Sequence, residues 1–232
     1  MPDTSNDLGL AESRAAAPTL HRTLAAGAGG HDVARLQAEL RSAGLSPGAI
    51  DGVFGDKTTA AVTAFATRES LPLTDGTVDV ALWSAILAAG ASARADAIEA
   101  AARAHDAAAE AAHDAAGLTQ QGAVDKRSKA VPAGPDEESA AGLLLAAARE
   151  YQAAAAAWLA AAELVAPHAD PDGRGFRAHA RHWNALDLAR AHARRTVNSL
   201  ALAGKDFDAA GVTDHRERLA RATRAARDLA AI

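Results

Sequence analysis

Apolar side chains recur at helical spacing along most of the chain, and the pattern changes character near residue 90. Upstream the stripes are short and built from large residues. Val33, Leu36 and Leu40 share one face between Asp32 and Gly44, with His31-Asp32 at the start and Gly44 past the last turn, which predicts a helix. A second is predicted from Asp56 to about Arg68 around Ala61, Val62 and Phe65, and a third from Val80 to about Ala89 around Leu82, Trp83, Ile86 and Leu87. Segments this short are marginal as isolated helices, so packing must hold them.

Downstream the stripes are longer and built from alanine. Ile98, Ala102, His105, Ala109, Ala112 and Ala116 follow one another at 4-3-4-3-4 between Ser92 and Ala116, a thin seam that packs only if helix backbones come close. Residues 117–135 carry Gly, Pro, Ser and a KRSK cluster and predict an exposed connection. From Asp136 to about Pro167 the positions Leu144, Ala148, Tyr151, Ala155, Trp158, Ala162 and Val165 form a heptad seam. Pro135 and three following acids suit its start, and Pro167 its stop. The aromatic rings Tyr151 and Trp158 therefore read as core. After a loop at His168–Gly175, Trp183, Leu186, Ala189, Ala193, Val197 and Leu200 predict another helix ending near Gly204, and Leu219, Ala222, Ala226 and Leu229 a last one after Asp214.

Composition sharpens this division. Of 232 residues 68 are alanine, and Leu, Ile, Val and Phe together supply 41. So few bulky side chains would suggest disorder, but alanine is the best helix former and the net charge is only −5. The expected fold is all-α: a small three-helix module at residues 19–90, then an alanine-rich, four-helix antiparallel bundle at 91–232 with a flexible connection at 117–135. Residues 1–18 read as a disordered leader. Charge is uneven: net −4 over residues 1–91, −6 over 92–170 and +5 over 171–232. The acidic helix and the arginine-rich last helix could therefore neutralise each other, which argues for an internally paired face rather than a nucleic-acid footprint.

A repeat links the second and third helices. At an offset of 24 residues, Asp51-Gly52-Val53-Phe54-Gly55 aligns with Asp75-Gly76-Thr77-Val78-Asp79, and Ala61-Val62 with Ala85-Ile86. Asp-Gly makes a tight turn, Phe54 and Val78 anchor it in the core, and Gly55 and Asp79 are acceptable N-caps. With Leu24, Gly27, Gly30, Val33, Leu36-Gln37, Leu40, Gly44, Thr58, Phe65, Leu71 and Trp83, these residues resemble the peptidoglycan-binding domain-like family, a three-helix module often attached to bacterial cell-wall hydrolases. The resemblance covers about 65 residues. Ala66, Ser70, Asp79 and Leu82 stand where the family commonly has Gln, Gly, Gly and Thr.

The resemblance implies binding to cell-wall glycan or its peptide stems. The contact patch is expected along the turn and helix start at 51–59, where backbone donors and short polar side chains converge. Asp51, Thr58, Asp75 and Trp83 are the candidate ligand contacts. Each also has a structural reading: Asp51 and Asp75 form turns, Thr58 can serve the backbone, and Trp83 can anchor the core. Gly52, Phe54, Gly55 and Gly76 are the structural residues of the motif.

Other chemistry has no sequence support. There is no cysteine, no HExxH, no phosphate-binding Gly-rich loop and no GxSxG elbow, so no catalytic residue is assigned. Glu110 and His113 have the spacing of a di-iron ligand pair but lack a second copy, and His179 and His182 share a face without an acidic neighbour in sequence; no metal or cofactor is expected. The alanine runs are too short and weakly apolar to enter a membrane. The expected function is non-catalytic peptidoglycan binding, with the helical part mediating oligomerisation or docking to another protein. The alternative is a structural or adaptor protein, as of a phage or contractile injection particle, that keeps the fold without the glycan. The first twenty residues lack the basic start and apolar core of a secretory signal. Glycan binding would then place the protein at the cell envelope or on an extracellular particle by another route, and loss of it in the cytoplasm.

Overall fold

The computed structural model describes residues 19–128, 135–169, 176–210 and 215–232. The described chain is all-α, with six helices: α1 (His31–Ser42), α2 (Asp56–Arg68), α3 (Val80–Ser128), α4 (Pro135–Val165), α5 (Phe176–Ala209) and α6 (Arg216–Ala230). It divides into two compact units, one of residues up to Ala95 with Glu163–His182, the other of Asp96–Ala162 with Trp183–Ile232. The expected leader at 1–18 lies outside the described residues.

In the first unit α1, α2 and the start of α3 enclose one core. Leu24, Val33, Leu36, Leu40, Phe54, Val62, Phe65, Val78, Trp83 and Ile86 are all buried within it. Large residues of complementary shape, rather than helix propensity, hold these short helices. Two antiparallel bridges, Leu24 with Val78 and Gly29 with Val53, tie the preceding segment to both repeats of the Asp-Gly motif.

α3 departs from the sequence expectation. It runs unbroken from Val80 to Ser128, through the boundary set near residue 91 and through the part of the expected connection at 117–128. Gly90 is no helix stop; a Cβ there would run into the Glu39 carboxylate of α1. Its small size lets the two helices approach at the point where Arg94 grips Glu39 at 2.6 Å. Farther on, Gln, Ala, Lys and Arg favour helix enough to absorb the roughly 1 kcal/mol cost of Gly117, and Gln120 donates to Asp206 of α5 at 2.6 Å. The rest of the expected connection, 129–134, lies outside the described residues, as do residues 170–175 of the loop after His168.

The second unit is a bundle of α3, α4, α5 and α6. Ala102 packs with Trp158, Ala162, Ala185 and Ala189, Ala109 with Ala147 and Tyr151, and Ala116 with Leu144 and Ala203. As numbers rise along α3 they fall along α4 and rise along α5, so successive helices are antiparallel. All seven predicted seam positions of α4 are buried.

The predicted seam of α5 is displaced. Trp183 is 49% exposed, while His192, Thr196 and Ser199 are buried beside Ala185, Ala189, Ala193 and Leu200. Two of these polar side chains turn back onto the α5 backbone. Thr196 donates to the His192 carbonyl at 3.0 Å, and His192 places Nδ1 2.7 Å from the Leu188 carbonyl and Nε2 2.8 Å from Asp106. Arg195 of α5 reaches Asp106 at 3.0 Å and Glu110 at 3.6 Å. These α3 acids, expected opposite the arginines of α6, are thus met by α5, and Arg216 of α6 instead takes Asp208 at 2.9 Å.

Enlarging the alanine seam tests this packing. Ala109→Leu should lower stability by about 1–3 kcal/mol through overpacking against Tyr151, read as a shift in the urea midpoint followed by aromatic fluorescence. An unchanged midpoint would contradict close approach of α3 and α4.

Candidate functional site

The first Asp-Gly turn is organised from beneath by one buried amide. Gln37, on the inner face of α1, is 1% exposed. Its Oε1 accepts from the backbone N–H groups of Asp51 at 3.1 Å and Gly52 at 3.0 Å. Its Nε2 donates to Asp51 Oδ1 at 2.9 Å and the Val53 carbonyl at 3.0 Å, with Thr58 Oγ1 at 3.2 Å. Asp51 Oδ1 also accepts from the Val53 N–H at 2.9 Å, the local bond expected of Asp in such a turn. Gly52 has φ +72°, and a Cβ there would stand 2.9 Å from the Gly30 carbonyl. Glycine is required on both counts. These donors hold the exposed Asp51 carboxyl below its ordinary value, the Gln37 amide contributing most and the Val53 N–H next.

A second support comes from the segment before α1. Arg22 binds both oxygens of Asp32, at 2.7 and 2.9 Å, and donates to the Gly29 carbonyl at 2.6 Å. Gly29 is the bridge partner of Val53, and Gly30 donates to the Gly52 carbonyl at 2.9 Å. The Arg22 guanidinium keeps the Asp32 carboxyl below its usual range.

The structure separates the candidate contacts into two groups. Asp51 and Asp75 are exposed. Thr58 and Trp83, at 1% and 3% exposure, are enclosed in the core. Their side chains serve the module: Thr58 joins Gln37 to the Pro47 carbonyl at 3.3 Å, and Trp83 packs among Phe65, Leu82 and Ile86. A sugar ring therefore has no access to the Trp83 face. Phe54 is a core anchor as the repeat requires, Gly55 is the N-cap of α2, and Gly76 adopts φ +67°.

The two repeats finish differently. Asp75 itself takes φ +51°, and Thr77 N–H closes the turn on the Thr74 carbonyl at 2.9 Å. Asp79 then caps α3 by accepting from Leu82 N–H at 2.8 Å. In the first repeat Gly55 has no side chain with which to cap α2, so first-turn N–H groups remain directed outward. Both turns lie against this end of α2, one through Thr58 and the other beside Thr59.

Around the first turn two large aliphatic side chains reach the surface. Ile50 is 44% and Val53 56% exposed, on either side of Asp51 and Gly52, and Asp56 and Lys57 are exposed next to them. Neither Ile50 nor Val53 is singled out by periodicity, because both lie outside helices. The signal was there in another form: bulky aliphatics flanking a turn, with no place in a helical stripe. Gln37 was visible only as a member of the motif, and its bonding became evident only once the turn was seen folded over α1. Among the described residues no cluster of three or more metal-ligating side chains occurs.

Gln37→Leu should cost about 3 kcal/mol, since a similar volume is retained but the Asp51 and Gly52 donors lose their buried acceptor. Urea unfolding measures this loss. The Asp51 carboxyl, followed by carbon-detected NMR, should titrate below a model aspartate in the parent and return toward it in Gln37→Leu. Because its folded value lies below its unfolded one, the stability it adds is complete above about pH 4 and is lost as pH falls through the lowered value.

No curated protein and no solved structure matches the chain. Residues 29–86, a quarter of the chain, match the family model of a peptidoglycan binding domain, a span that opens at the bridge residue Gly29 and takes in Gln37, both Asp-Gly turns and the start of α3.

Proposed function

We propose that this chain is a peptidoglycan-binding protein that contacts the polymer through the face formed by Ile50, Asp51, Val53 and the start of α2, with Asp75 at its margin. Supporting this reading is the coincidence of the family match at residues 29–86 with an exposed apolar pair on a turn fixed by Gln37. Peptidoglycan offers the apolar faces of sugar rings and N-acetyl methyl groups, together with amides and charged groups on its peptide stems. Ile50 and Val53 suit the former. Asp51 can accept from amide or ammonium groups, and Lys57 with the open end of α2 can meet a carboxylate. A turn held rigid from beneath loses little conformational freedom on binding.

Binding of this kind requires no bond cleavage, so the chain acts by adhesion. The alanine-rich bundle then holds a protein partner or a second copy. Among the described residues no helix is long and apolar enough to cross a membrane.

Cosedimentation of the full chain with purified sacculi tests the proposal. The parent should pellet at low salt, and Ile50→Ser/Val53→Ser should weaken binding by roughly tenfold while leaving the helical circular-dichroism spectrum intact. A parent chain that stays in the supernatant would overturn the reading in favour of a structural or adaptor protein that retains the fold alone.

A further inference from the structure

Within the second unit, side chains of α4, α5 and α6 line a half-open pocket of about 320 Å³, a volume that suits a small molecule. About half of its lining is apolar, supplied by Leu145, Ala148, Leu200, Phe207 and Leu219. The polar lining comes chiefly from Arg149 and Gln152 on α4 and from Arg218 and His215 beside α6. Among the described residues no carboxylate lines the space.

Two nearby acids are committed elsewhere. Asp208 binds Arg216 at 2.9 Å and lies 3.6 Å from His215 Nε2, while Glu150 bonds His105 at 2.7 Å. Arg149 and Arg218 make no ion pair among the described residues. His215 is 7% exposed, stacks on Phe207 at 4.9 Å and has no hydrogen-bond partner for its buried Nδ1. Two exposed guanidinium groups at the rim of a pocket with an apolar floor complement a molecule with an anionic head and an apolar body.

We infer that this pocket is a binding site for a small apolar carboxylate, of the class of medium-chain fatty or aryl-alkanoic acids. The apolar body fills the space between Leu145, Leu200, Phe207 and Leu219, and the carboxylate pairs with Arg149 and Arg218. The pocket is too small for a two-chain lipid. Its charge selects against neutral or cationic molecules of equal length. The site lies apart from the Asp51 turn, so it stands whether or not the chain holds peptidoglycan.

Calorimetric titration of the full chain with sodium decanoate, below its micelle concentration, decides the matter, with decylamine as a control of equal length. Decanoate should bind once per chain and decylamine should not. Arg149→Gln and Arg218→Gln, both at exposed positions, should each weaken decanoate about tenfold with an unchanged unfolding midpoint, and Ala222→Leu should block it by filling the pocket. Absence of decanoate binding, equal binding of decylamine, or arginine variants that bind like the parent would each overturn the assignment.

Discussion

The side-chain amide of Gln37 is the interaction on which the N-terminal module depends most. It is buried, so its donors and acceptor must be paired within the protein, and the partners are the backbone of the Asp51–Val53 turn and the hydroxyl of Thr58. One group thereby joins α1, the turn and the start of α2. The turn in turn brings Phe54 into the core and leaves Ile50 and Val53 outside it. Arg22 acts from the other side, holding the Gly29 segment that pairs with Val53. The outward face is thus a consequence of inward bonding rather than of local turn propensity alone.

The second unit solves a different problem. Its helices carry few large side chains, so burial depends on alanines spaced seven apart along α3 against the aromatic and aliphatic positions of α4. Close backbone approach leaves little room for error in register. Cross-helix polar bonds such as Gln120 to Asp206 and Arg195 to Asp106 add direction to an otherwise uniform surface. Toward α6 the packing opens, and the pocket beneath Arg149 and Arg218 lies there.

Much of this was legible in the sequence where one physical rule dominates. The limits of α2 and all seven seam positions of α4 followed from periodicity, and the Asx bond of Asp51 and the cap by Asp79 followed from turn and cap chemistry. Reading failed where two rules competed. Gly90 and Gly117 carry the mark of a helix end, yet neighbouring helix formers and, at Gly90, the passing Glu39 carboxylate make them interior residues. Along α5, apolarity placed Trp183 in the seam, but tertiary packing leaves it exposed and buries His192, Thr196 and Ser199 instead. Thr58 and Trp83 were ambiguous between core and surface until the fold placed them inside. Exposed Ile50 and Val53 carry no periodic signal at all.

We propose that the Gln37-supported turn is the face that meets the cell wall. The most direct measurement is an amide chemical-shift titration of the isotopically labelled full chain with soluble disaccharide-peptide fragments of peptidoglycan. Saturable shifts should concentrate at residues 50–57, with smaller changes around Asp75. Saturable shifts confined to another surface, or none at any fragment concentration, would contradict the account.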